Sequence, residues 1–307
     1  MFGNGLAFIA RHGKFGLIIG LVAGLALPDL AIILRPWIPE MVALLLFLTA
    51  FRIGPREALG NLGDLRNTAV TALCLQLGLP LAFLFGLWAF GAPFTPLAMA
   101  IVLMLAAPSV TGSANFSILL GHEPAPALRL LILGTAILPL TCVPVMYLLP
   151  ELGGLQATLL AAGRLLVVIL IAAALGFALR QFGFPKLSDD ARSAVDGLTV
   201  IALAVIVIAL MSAIRPAFAR DPAELAFWLV AAFAINFGAQ IVTYALLKAK
   251  GRTDAVPISI VSGNRNFALF FVALSPEITE PLLIFLGCYQ FPMYLTPTLL
   301  RRLYDPR

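Results

Sequence analysis

Asn264, Arg265 and Asn266 place one guanidinium between two carboxamides, directly after Gly263 and inside an otherwise apolar run from Ala255 to Ser275. An arginine offers five N–H donors and no acceptor. It grips a carboxylate or sulfonate as a two-pronged fork. In hydrocarbon an unpaired charge costs at least ~2.5–3.5 kcal/mol, so such a residue faces a protein interior or a wet cavity. Glycine and asparagine are poor helix formers. The segment therefore predicts a helix broken at membrane depth, where protein or water must satisfy the freed backbone groups.

A second segment has the same character. Pro108-Ser109-Val110-Thr111-Gly112-Ser113-Ala114-Asn115 interrupts another apolar stretch. Proline removes a helix hydrogen bond and clashes with the preceding turn. The candidate binding groups are Arg265, Asn264 and Asn266 from one break, and Thr111, Ser113 and Asn115 from the other. Asn236 and Gln240, one helical turn apart, are polar candidates for the same cavity, and interhelical hydrogen bonding is their other role. Gln290, Tyr294 and Thr296 are further lining candidates. Half-helix N-termini pointing into the cavity would add partial positive charge to Arg265. No carboxylate stands at the middle of these segments, so a small organic anion is the expected solute. Arg265 can also act by bracing broken-helix carbonyls.

The elements that must hold these groups follow from composition. The 307 residues are 61% hydrophobic and 11% charged, with a mean hydropathy of +1.02. A soluble domain carries about 25% charge, so the chain reads as an all-α, multi-pass membrane protein. Ten stretches have the ~20 apolar residues a crossing needs: 15–34, 37–53, 67–90, 95–120, 126–149, 155–180, 193–214, 223–247, 255–276 and 280–300. Of the 20 Lys and Arg residues, 14 fall on one side of this arrangement and 3 on the other. The basic side is cytoplasmic, and with it both termini. Arg129, Arg164 and Arg265 lie inside segments. The first two are close enough to segment ends to snorkel, and Trp37, Trp88 and Trp228 sit where interfacial anchors belong.

The net charge of +5 is scattered over short loops without a basic run, which speaks against nucleic acid. Cys74, Cys142 and Cys288 have no pairing or metal-ligand spacing and read as small core residues. The only histidines, His12 and His122, stand near segment ends. No HExxH, GxSxG or close acid pair suggests an enzyme. No obligate protein partner or cofactor is implied; the bilayer is the expected surrounding.

The two breaks lie about 150 residues apart, in the fourth and ninth of ten segments. Five is odd, so two five-helix halves, about 1–150 and 151–307, would have opposite topology. Matched breaks in inverted halves point to a secondary transporter's binding site.

On these residues the chain resembles the bile acid:sodium symporter family over nearly its whole length. Its fourth-helix motif, roughly Pro-Gly-Gly-Thr-Ala-Ser-Asn, corresponds to Pro108–Ala114 with Asn115 following. Its ninth-helix motif, roughly Glu-Val-Gly-Met-Gln-Asn, corresponds to Val261–Asn266. Pro108, Thr111, Ser113, Gly263 and Asn266 match. The resemblance implies a single transporter unit of ten helices in a bacterial inner membrane, discontinuous crossing helices 4 and 9, and core and panel subdomains. It also implies sodium near Gln76, Ser113 and Asn115. Two sodium-ligand positions of the motif differ, with Val261 in place of Glu and Arg265 in place of Gln. A fixed cation about 4 Å from a sodium ion would repel it by roughly 4 kcal/mol at an effective dielectric of 20. Arg265 is thus expected to stand in for the ion, leaving sodium coupling weak or absent. An ordinary sodium-coupled organic anion or bile acid symporter with rearranged ligands and an anion-binding membrane sensor stay open. An arsenite carrier is disfavoured, because no cysteine lies near the fourth-helix break.

Overall fold

The computed structural model describes residues 2–11, 13–60 and 64–305. His12 and Arg307, the latter one of the 14 basic residues counted on the cytoplasmic side, lie outside them. The described residues form helices and turns with no strand. Seven helices are long and apolar enough to cross a membrane: α3 (Pro28–Ile53), α4 (Leu65–Ala89), α7 (Ala125–Tyr147), α8 (Leu155–Gly183), α9 (Asp189–Arg220), α10 (Pro222–Ala249) and α12 (Pro276–Leu299). Shorter helices precede or interleave them: α1 (Phe2–Arg11), α2 (Gly13–Ala26), α5 (Pro96–Ala106), α6 (Ser113–Leu119) and α11 (Ala255–Gly263).

The N-terminal boundary differs from the sequence reading. A loop was expected at 35–36, but a 3-10 turn at Arg35–Trp37 carries the helix through. The break falls instead at Leu27, which has φ −118° and ψ 66°. The two prolines act differently. A residue before proline is pushed out of the α region, as Leu27 is before Pro28. At Pro36 the pre-proline effect does not prevail: Arg35 stays helical at φ −53° and ψ −45°, and the 3-10 turn takes Pro36 in an early position.

Contacts divide the chain into two compact units, Met1–Gly60 with Val167–Leu225, and Asn61–Leu166 with Ala226–Arg307. In the first, α2 lies along α9 with glycines facing it. A Cβ on Gly16 would come within 2.7 Å of Val200, and one on Gly20 within 2.8 Å of the Ala204 carbonyl. One on Gly24 would come within 2.7 Å of Met211. The residue numbers rise together, so the helices run parallel, and the glycines every fourth residue let the backbones approach. Arg52 on α3 forks onto Asp196 on α9, with N–O distances of 2.7 and 3.2 Å.

In the second unit, Thr95 caps α5 by accepting from the Ala98 N–H, and α5 is buried from Ala98 to Ala106. Cys142 and Cys288 are buried as expected, but Cys74 is exposed. Trp228 corrects the anchor reading, because it is 7% exposed and packs edge-on against Phe285. Trp37 and Trp88 are exposed. His122 donates from Nε2 to the Tyr304 carbonyl at 2.7 Å.

Just before α11, Arg252 forks onto Asp254 at 2.8 and 2.6 Å. That hydrogen-bonded pairing holds the Asp254 carboxyl below its ordinary value. A depressed carboxyl stabilises the fold at neutral pH, and the contribution is lost as pH falls through its folded pKa. Melting in detergent should therefore fall on acidification below about pH 4, and Asp254→Asn should flatten that part of the profile. An identical acid limb in the variant would refute the assignment.

Candidate functional site

Both breaks belong to the second unit, and they bond to each other. Helix α5 stops because Pro108 follows. Ala107 takes the extended conformation, φ −66° and ψ 154°, that a residue before proline favours. The chain then runs without helix to Ser113. Helix α11 ends at Gly263, and Asn264 leaves helical geometry at φ −105° and ψ 89°. The Val110 N–H donates to the Asn264 carbonyl at 3.0 Å, and the Asn266 N–H to the Pro108 carbonyl at 2.8 Å. Ser109 and Arg265 thereby face each other in an isolated antiparallel bridge. Each break supplies the partners the other lost, which buried backbone requires.

Arg265 lies at the centre of this crossing and is 2% exposed. Its backbone N–H donates to the Tyr289 hydroxyl at 2.8 Å, and that hydroxyl donates to the Gly263 carbonyl. The guanidinium meets three backbone carbonyls: Nε donates to Ser262 at 2.9 Å, Nη1 to Ala107 at 2.9 Å and Nη2 to Leu75 at 3.2 Å.

Each of these carbonyls is one that a helix has given up. Ala107 follows the last residue of α5. Ser262 is in the last turn of α11, and its α-helical donor would be Asn266, whose N–H is turned to Pro108. Leu75 lies in a π turn, Cys74–Gly78, within α4. There the Leu79 N–H bonds the Cys74 carbonyl instead of Leu75. The next donor in the π pattern would be Pro80, which has no N–H. Pro80 thus frees the Leu75 carbonyl for Arg265.

This geometry changes the electrostatic picture. Arg265 meets the C-terminal ends of α5 and α11, not helix N-termini. Those ends carry partial negative charge and stabilise a cation. The guanidinium has no carboxylate among its contacts, but its nitrogens are occupied by carbonyls.

The polar groups predicted from sequence separate into two sets. Asn264, Asn236 and Gln240 are fully buried with Arg265 and form the scaffold of the ninth-segment break. Asn236 Nδ2 donates to the Gly263 carbonyl at 2.6 Å. Gln240 Nε2 donates to Asn236 Oδ1 at 2.7 Å and to the Thr296 hydroxyl at 3.0 Å. Asn264 Nδ2 returns to the Ile260 carbonyl at 2.9 Å, and Tyr304 donates to Gln240 Oε1 at 3.2 Å. Gln290 donates to the Leu286 carbonyl of its own helix at 3.0 Å.

The second set is unengaged. Ser113 Oγ and Gln76 Oε1 are buried without a hydrogen-bond partner, although Gln76 Nε2 donates to the Gly134 carbonyl at 3.1 Å. Thr111 and Asn266 are half-buried and Asn115 is exposed. Buried polar atoms are rarely left unpaired without a reason. Ser113 and Gln76 are therefore the atoms best able to receive a solute or ion. No group of three or more His, Cys, Asp or Glu side chains among the described residues could hold a metal.

Sequence reasoning missed Tyr289, Tyr304 and the hydroxyl of Ser262, which donates to the Ala239 carbonyl at 2.9 Å. For Tyr289 there was a signal. It lies seven residues before Thr296, on the same face of one helix. Comparison with protein-family models gives no match, and comparison with curated proteins gives none.

Proposed function

We propose that this chain is a multi-pass membrane transporter that moves a small organic anion by alternating access without needing sodium at its crossover. The observation that carries the reading is Arg265 donating to three helix-end carbonyls where two broken segments meet. Convergent carbonyl oxygens are the ligands a hard cation takes, and a tethered guanidinium fills that role here. No carboxylate contacts the guanidinium, which is why the solute proposed is an anion rather than a cation. Ser113 Oγ and Gln76 Oε1, which no protein partner uses, supply hydrogen bonds together with the side chains of Thr111, Asn115 and Asn266.

The finer arrangement proposed is that of the bile acid:sodium symporter family. It has ten crossings in two inverted halves, with the fourth and ninth discontinuous and both termini cytoplasmic in a bacterial inner membrane. The division into contact units supports it. Val167–Leu225 joins Met1–Gly60, which groups just over half of the sixth segment and all of the seventh with the first two. The remaining segments form the second unit, as a four-helix panel and a six-helix core require.

Organic anion flux into proteoliposomes, with sodium replaced by choline, tests the function. Uptake that survives the replacement is expected. Uptake that vanishes would make the protein an ordinary sodium symporter, and binding without flux would make it a sensor. Ser113→Ala separates solute contact from structure. Its hydroxyl has no partner, so melting should hold within about 1 kcal/mol, while solute affinity drops by roughly 2–10-fold for one lost hydrogen bond. Unchanged affinity would remove Ser113 from the site.

A further inference from the structure

The first unit contains a cavity of about 200 Å³, bordered by Gly54, Arg56, Glu57, Arg180, Pro185 and Arg192. One water needs roughly 10–15 Å³ of such space, so there is more room than hydration of these side chains demands. It is smaller than the ~300–1,000 Å³ of a drug-sized pocket. The size suits a headgroup. From the structure we infer that this cavity binds a phosphate group, carried by an anionic lipid or free in solution. This does not depend on the transport reading, only on the chain lying in a membrane.

Three guanidiniums line the cavity against one carboxylate, Glu57. The C-terminal ends of α3 and α8 add about half a negative charge each and the N-terminal end of α9 about half a positive one, so the lining keeps an excess of roughly one to two positive charges. No ion pair engages Arg56, Arg180 or Arg192 among the described residues. Arg180 is held in place. Its stem lies over Gly54, where a Cβ would come within 2.9 Å of its Cγ, and its Nη1 donates to the Phe184 carbonyl. Gly54 has φ +76°, which a glycine adopts without strain. Arg180 Nε is buried with no partner. A fixed guanidinium with unmet donor capacity, beside two others, suits an oxyanion with several acceptor oxygens.

The surroundings favour a lipid as the source. The cavity lies where α3 and α8 end and α9 begins, so it is level with the ends of three candidate crossings. Phe182 is 81% exposed and Phe184 50%, and both sit on the segment that carries Arg180. Apolar rings beside a basic pocket at a crossing's end can meet acyl chains while the arginines meet the headgroup. Basic pockets between membrane helices hold anionic headgroups in this way.

The test uses the full chain in detergent. Melting is followed with phosphatidylglycerol, phosphatidylcholine or inorganic phosphate added, for wild type, Arg56→Gln and Arg56→Gln/Arg192→Gln. Phosphatidylglycerol should raise the wild-type melting temperature by several degrees more than phosphatidylcholine, and the double variant should lose most of that difference. Arg56 is exposed, so its single variant folds and should lose part of it. A matching rise with inorganic phosphate, absent in the double variant, would keep the phosphate site and assign a free anion as its source. Equal responses in wild type and both variants, or no response to either phosphatidylglycerol or phosphate, would overturn the inference.

Discussion

Arg265→Gln should destabilise the protein in detergent and at the same time make its melting temperature respond to sodium. The guanidinium donates to the carbonyls of Ser262, Ala107 and Leu75. A buried acceptor that loses its partner costs about 1–3 kcal/mol. Glutamine can reach at most one or two of the three, so the net loss should be about 2–5 kcal/mol. The vacated space then presents unpaired carbonyl oxygens at two helix C-termini, an environment that attracts a small hard cation. Sodium should recover part of the loss, while choline should not. Arg265→Lys should recover less than wild type, because an ammonium is a point charge and lacks the planar fork that spans separated acceptors. A variant as stable as wild type, or one indifferent to sodium, would remove Arg265 from its role as a tethered cation.

Gly263→Ala should be nearly as damaging, although it adds one methyl group. A Cβ there would collide with the Asn236 backbone carbonyl and come within 2.5 Å of Gln240 Cγ. The nearest obstacle is backbone, so α10 or α11 must shift. Overpacking of a filled interior costs about 1–3 kcal/mol. The shift also pulls Asn236 Nδ2 from the Gly263 carbonyl, now at 2.6 Å, for about 1–3 kcal/mol more. The expected loss is about 3–5 kcal/mol, and the proposed anion flux should be abolished. Gly238→Ala is the control, on the same helix as Asn236. Its Cβ would meet nothing within 4 Å, so the change should be neutral or stabilise by up to ~1 kcal/mol through helix propensity. Similar melting temperatures for the two variants would show that the close approach at Gly263 is unimportant.

Much of the fold was legible because its signals are local. Apolar length marked the long helices within a few residues, as α8 and α10 illustrate. Pro108 stops a helix by its own backbone chemistry, and another helix ends at Gly263. The first boundary was misread because two prolines, Pro28 and Pro36, compete there. Which one breaks the helix depends on where each falls in its turn. Asn236 and Gln240 were recognised as polar neighbours on one helix face. Their work as scaffold was hidden, because it is done on Gly263, Thr296 and Asn264 elsewhere in the chain.

The sequence by itself determined the class of protein and the positions of the two breaks, and it marked Arg265 as a charge that cannot face lipid. Those conclusions follow from hydration energy and backbone sterics, which act on each residue where it stands. Only the tertiary structure decided which groups that guanidinium donates to. The partners at Ala107 and Leu75 are 158 and 190 residues away in the chain. They are backbone oxygens that carry no signature of their own. They become acceptors because Pro108 ends one helix and Pro80 deprives a π turn of its donor, and folding brings both to the same guanidinium.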